Sequence, residues 1–246
     1  MGLVYQQNFT LSDIYLDRHR RMKPSMILYF TQEVAGQHCV ELKKDWETRA
    51  AQGLFWAVIR HRVRINRLPG AGETITVQTW PMPTTRVAYP RNVVAFDEAG
   101  NELFRVMSLW VLMDLNTRAM VLPGKSGVEV EGLLQGSELP APASLPPKEL
   151  ENVTQRRVCF SDLDRNGHMN NVKYLDWVAD LMPSEFHAAH TPKEITLCYL
   201  SECREGDALQ LQHAFRDGSL RVEAGRTDPN DGKTHRIFAA EIVYEA

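Results

Sequence analysis

A sixteen-residue run near the middle of the chain, Gly132-Leu-Leu-Gln-Gly-Ser-Glu-Leu-Pro-Ala-Pro-Ala-Ser-Leu-Pro-Pro, stops every periodic pattern around it. Its four prolines resist helix interiors and central strands alike. The break, at about residues 127–150, reads as an extended linker that can still lie against a surface. The same order of elements stands on each side of it: a short strand, a helix, then several long strands. In the first half residues 4–9 alternate loosely, and Ser25 is placed to cap a helix running to about Lys43. Strand-like runs follow at 54–66, 74–81, 86–97 and 102–114, with Gly70, Gly72 and Gly100 in the turns. In the second half 155–160 is the short strand. Asn170 or Asn171 then caps a helix carrying Val172, Leu175, Ala179 and Met182 on one face. Runs return at 194–202, 208–216, 219–227 and 234–244. Asp217-Gly218 marks a hairpin, and Pro229 to Gly232 a second turn.

A chain that says the same thing twice is expected to fold as two similar domains, 1–128 and 151–246, joined by a linker over 129–150. In each, one long helix would cover the apolar face of an antiparallel sheet. A helix wrapped by a sheet is the hotdog arrangement, an α+β fold. Two hotdogs in tandem can pair edge to edge and bury two exposed strand edges. A cystatin-like or other α+β sheet shares the pattern.

Composition removes several function classes. With 43% hydrophobic and 24% charged residues the chain is an ordinary globular protein rather than a disordered one. A net charge of −3 gives no nucleic-acid footprint. Arg60, Arg62, Arg64 and Arg67 offer a local basic patch for an acidic partner, although a solvated strand face is the plainer reading. Cys39, Cys159, Cys198 and Cys203 have neither Cys-x-x-Cys nor zinc-type spacing, so reduced thiols in the cytoplasm are expected. The N-terminus lacks a charged start followed by an apolar run, so no signal peptide is read. No apolar stretch approaches the roughly 20 residues that cross a bilayer. His187 and His190 lack the Glu of a zinc motif, and a solvated loop is expected there. No metal or cofactor is anticipated. No Gly-x-Ser-x-Gly elbow occurs, which argues against an α/β-hydrolase.

The chemistry concentrates at Phe160–Leu175, where Asp162, Asp164, Asn166, His168, Asn170 and Asn171 crowd a strand-to-helix turn. A helix start presents unpaired N–H groups and the positive end of its dipole, a place that can stabilise an oxyanion. The same residues would also serve as a plain loop of Asx turns and a cap. A second polar pair, Glu202 and Cys203, ends the strand that follows the second helix.

Asp162-Leu-Asp-Arg-Asn-Gly-His-Met-Asn-Asn-Val-Lys-Tyr resembles the active-site motif of the acyl-acyl carrier protein thioesterases, including the plant plastid enzymes. Glu202-Cys203 resembles the family's Glu-Cys signature, and Trp110-Val-Leu-Met-Asp-Leu-Asn-Thr-Arg its Trp-Val-Met-Met segment with the Thr-Arg that follows. The resemblance spans about residue 9 to the C-terminus. It implies a tandem hotdog with catalysis in the second half and most of the acyl pocket in the first. It places Asp164, Asn166, His168 and Glu202 at catalytic positions, and Cys203 at a cysteine once read as nucleophile. It implies an acyl carrier protein as partner, with neither nucleic acid nor membrane, and leaves homodimerisation open. The sequence shows no plastid-type extension before the fold, which points to a bacterial-type cytoplasmic enzyme.

The first half is an internal control. Aligning Met22 with Met169 sets Asp17, His19 and Arg21 opposite Asp164, Asn166 and His168; aligning the Gly72 and Gly206 turns sets Leu68 opposite Glu202. One active site per chain is expected. There, Glu202 and His168 would activate water, or deacylate an intermediate formed by Asp164, while Asn166 and the helix N-terminus hold the carbonyl. The rival has Cys203 attack with His168 as base. Met26, Tyr29, Phe30, Val34, Phe55 and Trp56 are candidates to line an acyl channel, with core packing as their alternative role. Acyl-CoA or aryl-CoA hydrolysis, a non-catalytic acyl-binding role and, more distantly, enoyl-thioester hydration are the competing functions.

Overall fold

The computed structural model describes residues 2–135, 139–228 and 232–245. Gly136 to Glu138 of the proline-rich stretch, and most of the turn expected at 229–232, lie outside the described residues. The chain divides into two compact units, Met1–Pro142 and Ala143–Ala246, with the division inside the proline-rich stretch.

Unit 1 holds β1 (Tyr5–Thr10), α1 (Pro24–Glu41), α2 (Trp46–Ala50), β2 (Leu54–Ile65), β3 (Thr74–Pro81), β4 (Tyr89–Phe96), β5 (Glu102–Asp114), β6 (Met120–Val121) and α3 (Pro123–Ser126). Its antiparallel sheet runs β1-β3-β4-β5-β2, and β6 adds to β5. The start of α1 is set by Pro24 at the first turn, where a missing N–H costs nothing. Ser25 is therefore not the cap: Lys23 occupies that position and Ser25 is buried within the first turn. A wide stripe of α1, including Ile27, Phe30, Thr31, Val34 and His38, is buried. Phe30 packs 4.6 Å from the ring of Phe9 on β1 and 5.4 Å from Tyr15. The short helix α2 was not anticipated, yet its signal is in the sequence: Asp45 accepts from the Thr48 amide at 3.1 Å, an ordinary N-cap.

Unit 2 holds β7 (Asn152–Arg157), α4 (Asn171–Ala179), α5 (Ser184–Ala189), β8 (Thr191–Tyr199), β9 (Ala208–Arg216), β10 (Ser219–Thr227) and β11 (Thr234–Glu245). The sheet order is β8-β11-β10-β9-β7, the same as unit 1 with each strand replaced by its counterpart. Tyr174 on α4 packs its ring on Phe238 and edge-on to Tyr199, which pair across β11 and β8. One long second helix was expected; the structure breaks it. α4 stops at Ala179, Met182 falls outside it, and α5 begins after Pro183, which disfavours helix in the residue before it. His187 and His190 are consequently not in a solvated loop. They accompany α5, bonded to the Ala179 and Phe186 carbonyls, with His190 stacked 4.1 Å from Phe186.

The linker is two docked straps. In unit 1 the amide of Leu133 donates to the Pro81 carbonyl, and Trp80 Nε1 to that of Gln135 at 2.9 Å. Gly132 lies so close to the backbone of Met82 and Pro83 that a Cβ would sit 2.2 Å from the Met82 carbonyl carbon. In unit 2 residues 143–150 cover the sheet face opposite α4. Across that face Cys198, Ala239, Glu223 and Gln212 stand in directly paired register. Leu145 packs on Cys198 and Ala239, Arg221 donates to the Pro146 carbonyl, and Arg236 to that of Leu145. Glu223, nearly buried, bonds both arginines.

Candidate active site

A tight loop between η-turn Phe160–Asp162 and α4 carries Asp164, Asn166 and His168. Leu163 and Met169 bridge antiparallel at its neck, so residues 164–168 form a closed bend. Gly167 stands at φ +73° within it, the left-handed region that glycine adopts without strain. The Asp164 carboxylate fills the bend from inside. One oxygen accepts from the amides of Asn166 (2.7 Å) and His168 (3.3 Å), the other from Asn166 Nδ2 (3.3 Å). Asn170 then caps α4 by accepting from Val172 N at 3.0 Å. The amide of Met169 donates to the Cys203 carbonyl at 2.8 Å, which fastens the loop to the segment after β8.

That fastening brings Glu202 to His168. His168 Nε2 lies 3.4 Å from Glu202 Oε2; the imidazole is mostly buried and the carboxylate nearly half exposed. A base and an acid thus meet at a helix start, with one side open to solvent.

Cys203 is oriented otherwise. Its side chain is fully buried beside Tyr174, and burial pushes the thiol's pKa up. A nucleophilic cysteine needs the opposite shift and some exposure. What Cys203 contributes to the site is its backbone carbonyl.

Unit 1 repeats the backbone bonds of this construction. Asp17 accepts from the amides of His19 (2.8 Å) and Arg21 (3.1 Å), Leu16 bridges Met22, and Met22 N donates to the Pro69 carbonyl at 2.8 Å. Gly72 N bonds the Leu11 carbonyl as Gly206 N bonds that of Val158. Pro69 is therefore the counterpart of Cys203, and Leu68 that of Glu202. The bend keeps its shape and loses its reactive groups. Arg20, at φ +62°, stands where the second bend has Gly167.

The six candidate acyl-channel residues do not share one surface. Phe30 and Val34 are buried on α1, with Met26 one turn earlier, while Tyr29 is 40% exposed. Successive strand residues face opposite ways, and Phe55 and Trp56 obey this. Phe55 meets Arg118 at 4.2 Å; Trp56 meets Tyr89 at 4.9 Å and donates to the Lys44 carbonyl. Two arginines of the suggested basic patch have carboxylate partners. Arg64 pairs with Glu102 at 3.2 Å, and Arg67 with Glu73 at 2.7 Å and Asp97 at 3.7 Å, so these two charges are met internally.

Two family models cover both units: the acyl-ACP thioesterase N-terminal domain matches residues 2–122, and the C-terminal domain residues 146–241. The chain belongs to the acyl-ACP thioesterase family. Among curated relatives, a chloroplastic palmitoyl-acyl carrier protein thioesterase of Gossypium hirsutum is 30% identical over 233 residues, covering 89% of this chain and 56% of that protein. A chloroplastic oleoyl-acyl carrier protein thioesterase of Coriandrum sativum is 28% identical, covering 85% and 62%. The chain thus spans a little over half the length of these relatives. Among solved structures, an acyl-ACP thioesterase from Bacteroides thetaiotaomicron superposes with TM-score 0.83 at 22% identity, over 99% of this chain and 98% of that one. The 12:0-ACP thioesterase of Umbellularia californica gives the same score and identity over 100% and 98%. The fold is the tandem hotdog.

Proposed function

We propose that this family member hydrolyses fatty acyl thioesters of acyl carrier protein, releasing free fatty acid, with one active site per chain at the His168–Glu202 pair. The observation that carries the reading is that pair, 3.4 Å apart on a bend whose unit 1 counterpart lacks both groups. A water held at the pair loses a proton to it as the water oxygen adds to the thioester carbonyl carbon. Asn166 and the first turn of α4 receive the developing oxyanion. Collapse re-forms the carbonyl, breaks the C–S bond, and returns the proton to the departing thiolate.

Asp164 fits a positioning role in this scheme. Both its oxygens are engaged within the bend, and Asp17 makes the corresponding backbone bonds where no chemistry is placed. The burial of Cys203 likewise disfavours a thiol-based scheme. Cytoplasmic location belongs to the same reading: all four cysteines are unpaired, as reducing compartments favour. Cell fractionation checks it.

The function is tested by initial rates of thiol release from matched acyl-carrier-protein and acyl-CoA substrates over a range of chain lengths. Faster turnover of the carrier-protein form is expected. Faster CoA hydrolysis would reassign the substrate, and no release from either would leave an acyl-binding protein.

A further inference from the structure

We infer that the retained but chemically empty bend of unit 1 is a docking surface for an acidic protein, the carrier that delivers the acyl group. This deepens the function proposed above and rests on it for the partner's identity. Over residues 13–23 the chain places four cations, Arg18, Arg20, Arg21 and Lys23, against two carboxylates; over the equivalent residues 160–170 one cation faces two carboxylates. The repeat holds the backbone constant, so the change from net −1 to net +2 belongs to the side chains alone. One of the carboxylates, Asp17, is turned inward to the amides of the bend, with Arg21 3.7 Å away.

Arg18 and Arg20 are exposed and form no ion pair among the described residues. Arg20 occupies a left-handed position that glycine fills in the other bend. A long charged side chain at a backbone conformation it disfavours points to a use for the side chain rather than for the turn. In the same segment Ile14 is 75% exposed, and Lys23 Nζ stands 3.3 Å from the Ile14 carbonyl. A segment with net charge +2 that also exposes an apolar side chain matches a protein partner with an acidic surface and an apolar spot; charge complementarity of this kind raises the association rate and is weakened by salt.

The test is equilibrium binding of the full chain to a carrier protein bearing a palmitoyl group through a non-hydrolysable amide, read by fluorescence anisotropy at low and raised salt. The Arg18→Glu/Arg20→Glu variant is expected to bind at least ten-fold more weakly and to lose most of the salt dependence, and Arg18→Gln/Arg20→Gln to fall between it and wild type. Unchanged affinity in the charge-reversed variant overturns the proposal, as does failure of the wild-type chain to bind. Turnover of palmitoyl-CoA, run in parallel, is expected to be the same in all three proteins and shows that fold and site are intact. If charge reversal unfolds the chain, the glutamine pair carries the decision by the same criterion. If wild type cleaves neither thioester but still binds the carrier through these arginines, the hydrolase reading fails and the docking surface stands.

Discussion

Asp164 and Asp17 make the same backbone bonds in two bends of different chemistry. Each ties two amides of a closed bend, and only one of the bends carries His and a facing Glu. The glycine position divides the bends further. Gly167→Ala forces a Cβ into the left-handed region, an expected loss of about 1–2 kcal/mol together with a fall in kcat as His168 shifts. Arg20→Gly relieves the same strain, offset by roughly 0.5–1 kcal/mol of added freedom in the unfolded chain. A net gain of about 0.5 kcal/mol is expected for it. Urea denaturation of both variants checks the pair; destabilisation by Arg20→Gly would mean that its side chain supports the fold.

At the scale of elements, the strands were legible because apolar runs of strand length stand between turn residues. Thr74–Pro81, Glu102–Asp114, Ala208–Arg216 and Ser219–Thr227 lie where periodicity set them. Helix limits were less so. Ser25 has the chemistry of a cap, but Pro24 beside it fixes the start one residue earlier, and Pro183 ends a pattern that Met182 would otherwise continue. The site loop was readable from its motif, and so was the partnership of Glu202 with His168. That Cys203 enters through its carbonyl was not, because a carbonyl has no sequence signature. Nor could composition show that the proline-rich stretch is strapped down in both units. The unit 2 strap hangs on Glu223, which bonds Arg221 and Arg236 while both hold strap carbonyls. Glu223→Ala leaves nearly buried Arg221 with the more distant Glu241 carboxylate, 4.0 Å away, and an expected loss of about 3 kcal/mol. Thermal melts and proteolysis near residue 145 measure it; a melt within a degree of wild type would show that the strap holds without the cluster.

The molecule as a whole carries two copies of one fold, only one of which pairs a His with a Glu at its bend, and the interior of the other has a pH signature. His61 of unit 1 is fully buried beside Ser108, and burial pulls its pKa down to about 3 from 6.5. Burial also lowers that of His38, with Arg91 adding to the effect. The unfolded chain takes up protons at these histidines before the folded one does. Stability is therefore complete above about pH 6.5 and is lost as pH falls from 6.5 toward 3. At pH 5, His61 alone accounts for about 2 kcal/mol. Carboxylates held down by hydrogen bonding, such as Glu73 through Arg67, add their own losses only below about pH 4.5. Urea midpoints at pH 7 and pH 5 should differ less in His61→Gln than in wild type; equal slopes would place the titration elsewhere.

The proposed active site is tested most directly by thiol release from one acyl-carrier-protein substrate, with Glu202→Gln and Cys203→Ala measured side by side against wild type. The account predicts that Cys203→Ala keeps kcat within a few-fold, and that Glu202→Gln loses a factor of about 100 or more while remaining folded. A folded Cys203→Ala that is inactive, or a Glu202→Gln that turns over at the wild-type rate, would contradict it.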